Sequence, residues 1–80
     1  MNTTEATSAV TEALAAIAPE VDPTTVDPDV PFRVELDLDS LDFLNLVQSL
    51  HDSTGVDIPE SDYARVETLS TLTNYLAQHS

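Results

Sequence analysis

The stretch LDLDSLDFLNLVQSL, residues 36–50, sets one serine between two aspartates at the head of a leucine-rich run. Phe43, Leu46, Val47 and Leu50 recur at helical spacing, and Leu41 and Leu44 widen the same stripe. This pattern predicts an amphipathic helix from Ser40 to about Asp52 or Ser53. Asp39 is a favoured N-cap, able to accept the backbone N–H of residue 41 or 42, and Asp42 is placed to reach back toward it. Both carboxylates complement the helix dipole. Gly55, the only glycine of the chain, stands where a left-handed C-terminal cap is wanted. Ser40 then has two readings: a first-turn helix residue, or an attachment point for a group the protein cannot make itself.

Upstream, Ala6, Val10, Ala13, Leu14, Ile17 and Val21 form the apolar face of a first helix. Thr3 or Thr4 can cap its start, and Pro19 should end it near Ala18. Glu5, Ser8, Thr11 and Glu12 make its wet face. About twenty residues follow, with prolines at 19, 23, 28 and 31, which forbid a regular helix and argue against a central strand. Val26, Val30, Phe32, Val34 and Leu36 can pin this crossover to a core, so it reads as an ordered loop. Downstream, Val56-Asp57-Ile58 is extended and Pro59 leads into a short helical turn near Ser61 to Val66. Thr68 caps a last helix whose inward stripe is Leu69, Leu72, Tyr75 and Leu76. The expected fold is all-α: a small four-helix bundle of three longer helices and a short third one, with a long loop between the first and second. Residues 1–80 read as one domain with a native start at MNTT.

Eighty residues with 41% apolar content can bury one compact core but leave little room for an enclosed active site. Fifteen Asp and Glu oppose Arg33 and Arg65, with no lysine, for a formal net charge of −13. That field repels nucleic acid and anionic membranes and attracts basic protein surfaces. The absence of cysteine removes disulfides, thiolate metal sites and a cysteine nucleophile from consideration. No segment has the form of a signal peptide or the length of a membrane span, so the expected location is the cytosol, as a monomer.

Self-contained catalysis by Ser40 is disfavoured. A serine nucleophile needs a base and an oxyanion hole, and the only histidines are His51, three turns down the same helix, and His79, next to the C-terminus. A calcium loop beginning at Asp37 would need glycine at its sixth position and glutamate at its twelfth. Those positions hold Asp42 and Gln48. No metal site is expected beyond loose divalent binding by Asp37, Asp39 and Asp42.

LDLDSLDFLNLVQSL followed by GVDIPESDYARVETLSTLTNYL resembles the acyl carrier proteins, in the D-S-L at a helix start, the I-P-E turn and the threonine-led last helix. The resemblance covers residues 36 to 76. It implies that Ser40 receives 4′-phosphopantetheine from coenzyme A through a separate magnesium-dependent phosphopantetheinyl transferase, with Asp39 and Leu41 flanking the attachment. It implies a carrier and not an enzyme, whose arm holds acyl groups as thioesters for fatty acid, polyketide or related biosynthesis. Basic patches on acyl-processing enzymes would dock on Asp39, Leu41, Asp42, Leu44, Asn45 and Gln48, with Glu60 and Asp62 nearby. An acyl chain would shelter among Leu44, Val47, Leu50, Ile58, Tyr63 and Val66, unless these simply pack the core.

Departures from the fatty-acid carriers bear on partner identity. Asn45 and His51 stand where that pattern has glutamates, and the glycine before D-S-L is replaced, giving Leu36-Asp37-Leu38. The absence of a G-G-x-S motif favours an acyl over a peptidyl carrier. Two alternatives stay open at this point: a helical adaptor acting noncovalently through the acidic second helix, with Ser40 unmodified, and an acidic divalent-ion sensor.

Overall fold

The structure, a computed structural model, describes residues 1–22 and 25–79. Its elements in chain order are α1 (Thr3–Ile17), α2 (Phe32–Glu35), α3 (Ser40–Thr54), a 3₁₀ helix (Glu60–Arg65) and α4 (Leu69–His79). Three long helices therefore form the bundle, as the apolar spacing predicts. The short helix before α4 is of 3₁₀ type, and α2 is an addition within the crossover.

α1 starts one residue earlier than a Thr3 cap would set it and two earlier than a Thr4 cap would. Asn2 is the cap: its side chain accepts the Glu5 N–H at 2.8 Å while Glu5 Oε1 accepts the Asn2 N–H at 3.4 Å. This reciprocal capping box satisfies two helix-end donors that Thr3 or Thr4 would leave open. Ala6, Val10, Ala13 and Leu14 are buried. Ile17 ends the helix before Pro19, and Val21 lies beyond it in a turn, its N–H bonded to Ala18 O at 3.0 Å.

The crossover is not wholly irregular. Proline excludes the interior of a helix but is well suited to its entry, and Pro31 stands immediately before the single turn Phe32–Glu35. Pro23 lies outside the described residues. Val26 and Phe32 are buried and Val30 and Leu36 half-buried, but Val34 is 69% exposed. The helical turn causes that difference, because it replaces the alternation of an extended chain with a period in which Val34 points away from Phe32. Two backbone bonds tie the crossover to the head of α4, from Phe32 N–H to Glu67 O at 2.8 Å and from Ser70 N–H to Pro28 O at 3.0 Å.

The core draws on Leu14, Phe32, Leu46, Leu50, Leu72 and Leu76, all essentially sealed from solvent. The backbone of α1 packs on both α3 and α4, which approach each other far less. Tyr75 does not simply fill this core. It is half-buried, its hydroxyl donates to Asp62 Oδ2 at 2.7 Å, and its ring stacks on His79 with centroids 3.9 Å apart. That bond to a carboxylate, then burial, raises the Tyr75 pKa above that of a free phenol. His79 lies in the last turn of α4, its Nδ1 2.9 Å from Tyr75 O. Among the described residues no helix is long and apolar enough to cross a membrane.

Candidate functional site

Ser40 is the first residue of α3 and is exposed. Asp39 precedes it in an extended conformation, and its carboxylate accepts the Asp42 N–H at 2.9 Å while its carbonyl accepts the Phe43 N–H at 3.0 Å. Of the two positions open for the cap, residue 42 is the one used. Asp42 makes no return bond to the Asp39 N–H, so the reciprocal box seen on α1 is absent here. Among the described residues the N–H groups of Ser40 and Leu41 have no acceptor. They open outward at the positive end of a 15-residue helix.

The approach to Ser40 is set by a sharp turn. Within Leu36-Asp37-Leu38, Asp37 adopts φ +54°, the left-handed region that glycine enters freely and other residues enter at a cost. The turn sends Leu38 into the core, at 7% exposure, and leaves Asp39 free to cap. At the far end Gly55 takes φ +76° and donates its N–H to His51 O at 2.9 Å. α3 closes at Thr54, one residue beyond the expected limit.

A surface groove of about 320 Å³ adjoins Ser40, walled by Phe32 and Arg33 of α2, Phe43 and Leu44 of α3, and Tyr63 of the 3₁₀ helix. Leu38, Asp39, Glu60 and Glu67 complete its lining. Phe43 and Tyr63 meet edge-to-face, with centroids 5.4 Å apart at 77°, a favoured aromatic geometry that fixes both rings. Of the residues named for an acyl cleft, Leu44 and Tyr63 line this groove. Val47, Leu50, Ile58 and Val66 are buried in the core and do not.

The residues named for docking fall into two groups. Asp39, Leu41, Leu44, Asn45, Gln48 and Glu60 are exposed, Leu41 at 69% and Leu44 at 45%, and Asp42 is half-buried. Leu41 and Leu44 thus leave the inward stripe to Leu46, Val47 and Leu50. Asp62 stands apart: it is half-buried, holds the Tyr75 hydroxyl and borders a different depression on the face of α4. Neither histidine borders the Ser40 groove. His51 is exposed, its Nδ1 3.3 Å from Val56 O. Among the described residues no cluster of three or more histidines or carboxylates is placed to hold a metal ion.

Sequence reading did not place Arg33 and Glu67 beside Ser40. Glu67 arrives through the Phe32 N–H bond to its carbonyl and Arg33 through the α2 turn, pairings between distant segments that no local periodicity encodes.

The sequence pattern of the family described as a phosphopantetheine attachment site matches residues 8–76. An acyl carrier protein of Lactobacillus johnsonii is 34% identical over 59 residues, covering 74% of each chain. One from Thermosynechococcus vestitus is 32% identical over 65 residues, covering 81% of this chain and 80% of its own. The fold matches that of an acyl carrier protein from Enterococcus faecalis with a TM-score of 0.77, over the full length of both chains at 21% identity. The fold and the matched sequence pattern are therefore those of the phosphopantetheine-attachment class. The chain belongs to the acyl carrier protein family. It is a carrier and not an enzyme, its cofactor is phosphopantetheine, and its role entails interaction with acyl-processing enzymes.

Proposed function

We propose that Ser40 carries the phosphopantetheine and that the loaded protein delivers acyl groups between enzymes of fatty acid, polyketide or related biosynthesis. The observation that carries this reading is the position of Ser40: an exposed hydroxyl at the first residue of α3, beside two open backbone N–H groups. A phosphodiester on that hydroxyl gains from the helix dipole and can accept from free donors. Asp39 supports this by occupying the Asp42 N–H and leaving the two nearer groups free. When bound, the group supplies the thiol that holds an acyl chain as a thioester. Ser40 needs no base of its own, since a separate transferase can take the hydroxyl proton. His51 stands eleven residues on, about 16 Å along the helix axis, too far to serve.

The protein's own surface does the rest. Leu41 and Leu44 flank Ser40 with exposed apolar area, and Asp39, Asp42 and Glu60 surround it with negative charge. A basic partner patch is steered by the charge and gains burial from the leucines. Asn45 and Gln48 extend this face along α3, whereas Asp62 is committed to Tyr75 and is not assigned to it. Leu44 and Tyr63 give the arm an apolar wall close to its attachment. In this role residues 1–80 act as one domain, monomeric and in the cytosol.

Incubation with coenzyme A, magnesium and a broad-specificity phosphopantetheinyl transferase tests the assignment. Intact mass should rise by one phosphopantetheine in the wild type and not in Ser40→Ala. No gain in a wild type that is folded by circular dichroism would refute it and favour the noncovalent adaptor.

A further inference from the structure

The chain has two basic side chains other than histidine, Arg33 and Arg65, against fifteen acidic ones. Arg65 borders the depression on the α4 face with Asp62 and Tyr75. Arg33 borders the same groove as Ser40. We propose that Arg33 binds the phosphodiester formed on Ser40 and directs the arm from its first atoms into the groove walled by Leu44 and Tyr63. This rests on the assignment of Ser40 as the attachment residue.

Arg33 has an anchored backbone, although its side chain is exposed. It follows Phe32, which is 1% exposed and whose N–H bonds Glu67 O at 2.8 Å, so the α2 turn cannot swing away without opening the core. Among the described residues the guanidinium makes no ion pair or hydrogen bond. Glu60 and Glu67 border the same groove without engaging it. A phosphodiester at Ser40 brings a further negative charge next to Asp39 and within one turn of Asp42, in a chain already at −13. The first-turn N–H groups offset part of that repulsion, and the remaining counter-charge bordering the groove is Arg33. A guanidinium offers paired donors to the two non-bridging oxygens of a phosphodiester, a geometry an ammonium lacks. The ester is formed on the Ser40 hydroxyl itself, so the effective concentration of phosphate at the groove is high.

The test uses the full chain, loaded enzymatically and verified by intact mass, with Arg33→Gln, Arg33→Lys and Arg65→Gln alongside. The Nε–H resonance of Arg33 should move on loading and return toward its unloaded position in 1 M salt, while that of Arg65 stays still. The ³¹P line of the loaded protein should narrow about twofold in Arg33→Gln as the phosphate gains fast local motion, narrow less in Arg33→Lys, and be unchanged in Arg65→Gln. A full mass gain with a static Arg33 resonance and equal ³¹P lines would overturn the proposal while leaving Ser40 as the attachment residue. No mass gain in the wild type would overturn both. If Arg33→Gln resists loading, the wild-type Arg33 resonance decides alone.

Discussion

Replacement of Asp37 isolates the cost of the turn that aims Asp39 and Ser40. Asp37 is exposed, and among the described residues its carboxylate makes no hydrogen bond, so substitution removes none. What remains is its φ of +54°. A left-handed conformation costs an L-residue about 1–2 kcal/mol, with aspartate among the residues that tolerate it best. Glycine removes that strain but adds about 0.4–1 kcal/mol of unfolded-state entropy to be lost on folding. Asp37→Gly should therefore be neutral or stabilising by up to about 1 kcal/mol. Alanine keeps the strain without aspartate's tolerance of the left-handed region, and Asp37→Ala should cost about 1 kcal/mol. The two variants lose the same charge, so their difference is free of electrostatics. At about 1–2 kcal/mol between them, and roughly 4–8 °C per kcal/mol for a domain of this size, thermal melts resolve the gap easily. Gly55→Ala is the control: φ is +76° and an added Cβ meets nothing within 4 Å, so its cost is conformational alone. Equal melting temperatures for Asp37→Gly and Asp37→Ala would refute the reasoning, because the turn would then not depend on the conformation of residue 37.

Other outcomes follow from the same structure. Asp39→Ala should lower stability by about 1 kcal/mol in urea unfolding, through loss of the Asp42 N–H cap. Phe32→Ala removes the sealed anchor of the crossover and should cost about 3–5 kcal/mol, measured by the same titration. Tyr75 has its pKa raised mainly by the bond it donates to Asp62. A raised folded-state pKa means that its stabilisation is complete below the unfolded value near 10 and is lost as pH climbs through the folded one. Tyr75→Phe should accordingly cost about 1 kcal/mol at neutral pH and flatten the loss of stability above pH 10 in melts. Added salt should raise the wild-type melting temperature by screening a net charge of −13. A flat salt response would show that this charge does not oppose folding.

Much of this architecture is legible in the sequence because it is written in local periodicity. Val10, Leu14, Leu46, Leu50, Leu72 and Leu76 announce three helices and their inward faces, and Asp39, Gly55 and Thr68 mark helix ends by residue types that suit them. Thr68 does cap α4, accepting the Thr71 N–H at 3.1 Å. The errors arise where two local signals compete or where the answer is tertiary. Asn2 and Thr3 are both able caps, and Glu5 decides in favour of Asn2. Prolines at 28 and 31 mask a helical turn that begins just after the second of them. Leu41 and Leu44 carry the residue type of a core but are exposed, because only the Leu46, Val47 and Leu50 side of α3 is buried. Arg33 and Glu67 reach the groove only once the crossover has folded back on α4. The part of the site set by D-S-L is thus local, and its surroundings are not.

The packing of α1 between α3 and α4 separates where the chemistry is carried from where its durability is set. No residue of α1 borders the Ser40 groove, yet both of the other long helices pack on it. α3 cannot keep its first turn presented if α1 detaches, so the opening rate of the N-terminal helix limits how long a loaded arm stays on a structured platform. Amide exchange in α3 should track exchange in α1 under native conditions. Weakening the Asn2–Glu5 box, tens of residues from Ser40 in sequence, would then shorten the working life of the carrier without touching any group that a partner enzyme reads.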